Sequence, residues 1–161
     1  MRESLLIILL VATGFICSCT KIQTFSPEPE ITYKSFRVVD TVDSLGNITI
    51  IGYLSFRFID GDGDIGWEDG DDLPPDNPEG LNLFFTTYEM IDGEFVKVSD
   101  SLRYSIPYLE NEGPNKVVKG EVIVKFNYYY DDYDTIMYEF FMIDRALHQS
   151  NIESTPPLVL K

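Results

Sequence analysis

Cysteine is nearly missing from this chain. Cys17 and Cys19, close together near the N-terminus, are the whole inventory, so no internal disulfide staples a domain that follows them. Histidine is scarcer still: His148 stands alone, which disfavours zinc, a metal held by nitrogen and sulfur. Positive charge is thin as well. Against 27 Asp and Glu there are 12 Lys and Arg, a formal net charge of −15, which argues against nucleic acid or an anionic membrane surface as a partner. No window repeats its apolar residues at helical period, no internal repeat is visible, and no Gly-rich phosphate loop leads into a helix. No Ser or Cys sits in a recognisable nucleophile setting, and no spacing of carboxylates separates an acid from a base. Catalysis is not expected.

What is present is strand-forming sequence. Apolar content of 44% and aromatic content of 14% in 161 residues suit one folded domain with a sizeable core. Ile31–Val42 is rich in β-branched and aromatic residues and predicts a first strand. In Ile48–Asp60 the residues Ile48, Ile50, Leu54, Phe56 and Phe58 share one face while Ser55 and Arg57 point oppositely, the pattern of a half-buried antiparallel strand. Leu81–Met90 and Glu94–Val98 predict a hairpin about Asp92-Gly93. Ser101–Leu109 predicts a further edge strand interrupted at Pro107, and Val122, Val124, Phe126 and Tyr128 alternate with polar residues in the next. Ile136–Asp144 reads as a strand buried on both faces. Asn151–Leu160, restricted by Pro156-Pro157, closes the set at an edge. The expected fold is all-β, a single immunoglobulin-like antiparallel sandwich over residues 31–161 with strands A, B, C, C′, E, F and G.

The second strand runs into Asp60-Gly61-Asp62-Gly63-Asp64-Ile65-Gly66-Trp67, and from Asp60 to Glu79 there is no Lys or Arg. Carboxylates at alternate positions of a Gly-rich turn suit Ca²⁺, which takes roughly 6–8 oxygens and needs a backbone able to curl around it. Against an EF-hand frame, Asp60, Asp62 and Asp64 take the first, third and fifth positions and Asp71 the twelfth. Ile65, however, stands where the sharp turn wants Gly, and no helical pattern flanks the loop. The expectation is therefore a structural Ca²⁺ loop at a strand end, with Asp60, Asp62, Asp64 and Asp71 as ligands. The bland reading is a solvated acidic turn. In an immunoglobulin-like sandwich the B–C and F–G loops share one end. Asp144 at the close of strand F, with Asn151 behind it, is thereby expected to join the ligand set.

The N-terminus carries a separate message. Met1-Arg2-Glu3-Ser4 precedes the apolar run Leu5–Ala12, which is too short for a comfortable membrane span. Ile16-Cys17-Ser18-Cys19 resembles the bacterial lipobox, with Cys19 as the lipid acceptor. That resemblance implies a signal peptide over 1–18 and a lipidated Cys19, followed by a Pro-containing tether over 19–30. Asp144-Arg145-Ala146 followed by Ser150-Asn151 resembles the closing signature of bacterial immunoglobulin-like and fibronectin III-like domains, with Leu147-His148-Gln149 where that signature has Gly-Asn. Together with Phe-x-Phe-x-Asp-Gly-Asp-Gly-Asp-Ile-Gly, the chain resembles small lipoproteins of Bacteroidetes. The resemblance implies an outer-membrane lipoprotein held by its lipid. It favours the periplasmic face, because no acidic export cluster follows Cys19. It implies no activity.

The expected function is a non-catalytic envelope module, binding or structural, with a calcium-stiffened loop pole that offers a surface to a glycan or protein. The alternative is a calcium-assisted hydrolase of envelope polymers. Trp67, the lone tryptophan, is expected to plug the sandwich end or cover the ion site rather than serve as a stacking platform for a sugar or peptide. The run Tyr128–Asp134 reads as a hairpin whose tyrosines cover strand faces rather than as a recognition patch.

Overall fold

Alternation decides which face of each strand is buried, and two such faces make the core. The computed structural model describes residues 24–110, 116–129 and 134–160. Among them are β1 (Glu30–Val42), β2 (Ile48–Asp60), β3 (Leu83–Ile91), β4 (Glu94–Tyr104), β5 (Val118–Tyr129), β6 (Thr135–Met142), β7 (Glu153–Ser154) and β8 (Leu158–Val159). The described chain is all-β, without a helix. One sheet has the order β1-β2-β5. The other runs β4-β3-β6, with β7 and β8 both paired to β6. Every pairing is antiparallel. Read as A-B-E against C′-C-F-G, this is the expected immunoglobulin-like sandwich.

The core is unusually aromatic. Phe85 sits at its centre, edge-on to Tyr104, Phe126 and Tyr138 and stacked on Phe140. Phe56 meets Phe140 across the sheets at 5.2 Å, and Phe126 meets Tyr138 at 4.8 Å. Such pairs prefer offset or edge geometries and add to what area burial supplies. The hydroxyls of Tyr128 and Tyr138 hydrogen-bond each other at 2.7 Å, so two buried O–H groups are satisfied inside an apolar layer.

Several elements differ from expectation for identifiable reasons. The hairpin strand and the separate edge strand are one strand: β4 runs unbroken to Tyr104 and stops before Pro107. Two irregularities in its pairing with β3 let it turn while it continues. At the hairpin tip Asp92 (φ 53°) and Gly93 (φ 88°) are both left-handed, the geometry of a type I′ turn. β6 is not buried on both faces. Ile136, Tyr138, Phe140 and Met142 face the core, while Phe141 lies half-exposed on the outer face, stacked on Phe84. Ile48 is exposed although Ile50, Leu54, Phe56 and Phe58 are buried, because it begins the strand beyond the opposing sheet's cover. The closing strand is split into β7 and β8 around Pro156-Pro157, which cannot donate to a ladder.

The residues expected to form a tether are, from Thr24 on, laid against the sandwich. The Phe25 ring sits under the Lys119 ammonium at 4.0 Å, and Pro29 is buried. Residues 1–18, expected to be a signal peptide, and Cys19 lie outside the described residues, as do residues 130–133 of the tyrosine run. Asn151 joins the two sheets: its side chain accepts from the Ile31 N–H at 2.8 Å and donates to the Ile31 carbonyl at 3.0 Å.

Candidate metal centre

At the end of β2 the backbone leaves the sheet and curls through the acidic loop. The aspartates turn inward and the glycines turn outward, and each glycine is where another segment crosses. A Cβ at Gly63 (φ 72°) would run into the Lys116 carbonyl, and one at Gly66 (φ 76°) into the Pro107 carbonyl; the Phe25–Ser26 backbone presses on Gly61 in the same way. A side chain is excluded twice over at Gly63 and Gly66, by the left-handed backbone and by the neighbour. Ile65, which breaks the EF-hand pattern, is fully buried in the core cluster and pins the loop from below. Its carbonyl accepts from Leu109 N–H at 3.2 Å, and the Asp64 carbonyl accepts from Arg145 N–H at 3.1 Å.

This folding gathers carboxylates. Asp60, Asp62, Asp64 and Asp144 each offer one oxygen, and these atoms all lie within 4.8 Å of one another. Oxygens around a single Ca²⁺ at 2.3–2.6 Å stand at most about 5 Å apart, so the four fit one coordination sphere. Asp60 is 0% exposed and Asp144 1%. One oxygen each of Asp60, Asp62 and Asp64 (Oδ1 in every case) is buried and has no hydrogen-bond partner. The other Asp60 oxygen accepts the Asp64 N–H at 2.9 Å. Buried acceptors are ordinarily satisfied, and three orphans at one spot ask for a shared partner that is positive and takes oxygen.

No family model, no curated protein and no solved structure matches the chain.

Electrostatics agree with the geometry. Burial, then repulsion from Asp62, Asp64 and Asp144, pushes the Asp60 carboxyl up to about 6, against the pull of the Asp64 N–H. Asp64 is raised by the same causes, burial first, and is partly offset by the Arg145 guanidinium and the Ala146 N–H. Arg145 is itself held over the Tyr108 ring at 4.9 Å. His148 donates its backbone N–H to Asp144 Oδ1 at 2.7 Å, and its ring Nδ1 lies 2.9 Å from Oδ2. That bond raises the His148 pKa above its ordinary value. The turn that makes it possible places Leu147 at φ 66°, in the left-handed region that side chains rarely adopt.

The structure thus brings Asp144 to Asp60, Asp62 and Asp64 and leaves Asp71 out. Asp71 Oδ2 instead accepts the Glu68 N–H at 2.9 Å and closes a local turn. The helix-loop-helix frame that would carry a twelfth-position acid back to the ion does not exist here. Asn151 is also outside the cluster, committed to Ile31. Trp67, half-buried, lies beside Gly80, where a Cβ would run into its ring. Two contributors escaped the sequence reading. His148 had a readable signal, four residues after Asp144 in the same loop; the Lys116 and Pro107 carbonyls that demand the glycines had none.

Proposed function

We propose that this chain is a non-catalytic lipoprotein module of a bacterial envelope whose loop pole is stiffened by a structural Ca²⁺ held by Asp60, Asp62, Asp64 and Asp144. The observation that carries the metal is the trio of buried, partnerless oxygens inside a four-carboxylate cluster. An all-oxygen, anionic donor set suits a hard cation, and its curled backbone leaves room for a carbonyl or water to complete six or more ligands. Bound there, the ion would neutralise charges that otherwise repel and would cross-link the end of β2 to the end of β6. The lipid anchor at Cys19 is supported by the lipobox-like Ile16–Cys19. The chain would then join the sandwich at the calcium pole, since Phe25 and Ser26 lie against Gly61. The outer membrane, periplasmic side, is the proposed location, on the lack of an acidic cluster after Cys19.

The test is thermal unfolding in millimolar Ca²⁺ and in excess chelator. A ligand present at 100 times its Kd that binds only the folded state adds about 2.7 kcal/mol. Calcium should raise Tm, and Asp62→Asn with Asp64→Asn should abolish the rise. Superimposable curves in calcium and chelator would remove the metal from this reading. Metabolic labelling with a radioactive fatty acid, lost in Cys19→Ser, tests the anchor independently.

A further inference from the structure

The charge of −15 belongs to the whole chain, and the fold sorts it. In the β1-β2-β5 sheet, Ile50, Leu54, Phe56 and Phe58 of β2 point into the core, so Tyr53, Arg57 and Ile59 point out. Directly paired residues share a side. That sets Arg37 and Lys125 beside Tyr53, Glu121 beside Arg57, and Glu30 and Lys119 beside Ile59. Lys34 reaches the same side, since its ammonium bonds the Glu121 carboxylate at 2.7 Å. Five of the chain's twelve Lys and Arg thus stand exposed on one outer face. Of the acids in these strands only Glu30 and Glu121 join them, because Asp40 and Asp60 alternate to the other side. Lys34 already matches Glu121.

We propose that this face lies on the anionic phospholipid headgroups of the membrane that holds Cys19, a docking that rests on the lipid anchor proposed above. Six residues lead from Cys19 to Phe25. At about 3.5 Å each they span roughly 20 Å at most, and the Phe25 ring ends beneath Lys119, a cation of the face. The anchor therefore leaves the domain at the margin of its basic side, too short to hold it far from lipid. Arg57 and Lys119 border a recess of about 320 Å³ that Glu30, Thr32 and Ile59 also line. A lipid phosphate settling there takes paired, charge-assisted hydrogen bonds from the Arg57 guanidinium. Ile123, 63% exposed and paired with Ser55, faces the same way and offers an apolar contact to the headgroup layer. Acids elsewhere on the chain do not cancel the attraction. Packed sheets lie about 10 Å apart, more than the Debye length of about 8 Å at physiological ionic strength, so the lipid reads chiefly the nearest face. An acidic polysaccharide would meet the same cations, but the short anchor delivers lipid to them and delivers no glycan.

The test is amine labelling of the full chain on vesicles of phosphatidylcholine, alone or mixed with phosphatidylglycerol, read lysine by lysine by mass spectrometry. On the anionic vesicles Lys34 and Lys125 should lose their labelling and regain it at high salt; on phosphatidylcholine they should keep it. Lys97, half-exposed on β4 of the other sheet, should label alike on both. Arg37→Gln with Arg57→Gln, both exposed sites, should weaken the docking by a factor of roughly 30 and restore the labelling, with a melting curve close to the parent's. Equal labelling of Lys34 and Lys125 on the two kinds of vesicle would overturn the docking, whether or not Cys19 carries lipid. So would protection of Lys97 to the same extent. Protection by a soluble polyuronate, with none on phosphatidylglycerol, would give the face to an acidic glycan and overturn it as well. Protected lysines on a chain without fatty-acid label would refute the anchor and leave the face.

Discussion

Replacing Asp60 by Asn should change the sign of its effect according to whether calcium is present. The side chain is fully buried, one oxygen takes the Asp64 N–H and the other has no partner. Burial and three neighbouring carboxylates raise its pKa from 3.8 to about 6. At about 1.4 kcal/mol per pH unit, the ionised group costs the metal-free fold on the order of 3 kcal/mol at neutral pH. Asn has nearly the same shape, keeps an oxygen for the Asp64 N–H, and turns an amide toward the orphaned oxygens of Asp62 and Asp64. In chelator the variant should therefore melt higher than the parent, by up to roughly 10 °C at about 3–4 °C per kcal/mol for a domain of this size. In calcium the order should reverse, because the parent gains the binding free energy and the variant has lost an anionic ligand. The assay is paired melting curves of the two proteins in both buffers. If Asp60→Asn lowers Tm equally in calcium and in chelator, Asp60 is an ordinary structural acceptor and the argument from charge crowding fails.

Three further outcomes are expected. In chelator, stability should rise as pH falls from 7 toward 4: the folded state binds protons on Asp60 near pH 6 that the unfolded state takes up only near 3.8, and Asp64 and His148, both raised, act in the same direction. A denaturant midpoint that falls steadily over that range would contradict it. Gly63→Ala should destabilise by about 1–3 kcal/mol from its left-handed backbone alone, and by more from the Lys116 carbonyl; chemical denaturation reads this, and a neutral change would refute the crossing geometry. Phe85→Ala, at the centre of the aromatic layer, should cost about 3–5 kcal/mol without altering the calcium-induced rise in Tm, because Phe85 is not part of the carboxylate cluster.

Much of this molecule was legible one residue at a time. A period of two in Ile48–Asp60 and Val122–Tyr128 named the inward face of β2 and β5, because a pleated strand gives its side chains no other choice. The Asp92-Gly93 turn followed from which residues tolerate positive φ. Even the approach of Asp144 to Asp60 was readable, once the strands were ordered so that the loops after β2 and β6 share an end. What stayed hidden were facts about distant backbone. Asp71 looked like a ligand by spacing alone, and spacing carries a residue to an ion only if the intervening chain has the shape the spacing assumes. The glycines of the acidic loop read as freedom to curl. In the fold Gly63 and Gly66 do curl, and they also make room for the Lys116 and Pro107 carbonyls, which belong to the connection between β4 and β5.

The sequence by itself determined the class of fold and the kind of chemistry at its pole, because alternation and local charge are properties of neighbouring residues. Tertiary structure alone decided which carboxylates meet, which oxygens are buried without partners, and which backbone segments cross the glycines of the acidic loop. Those depend on contacts between residues far apart in the chain, and no local pattern encodes the distance between them.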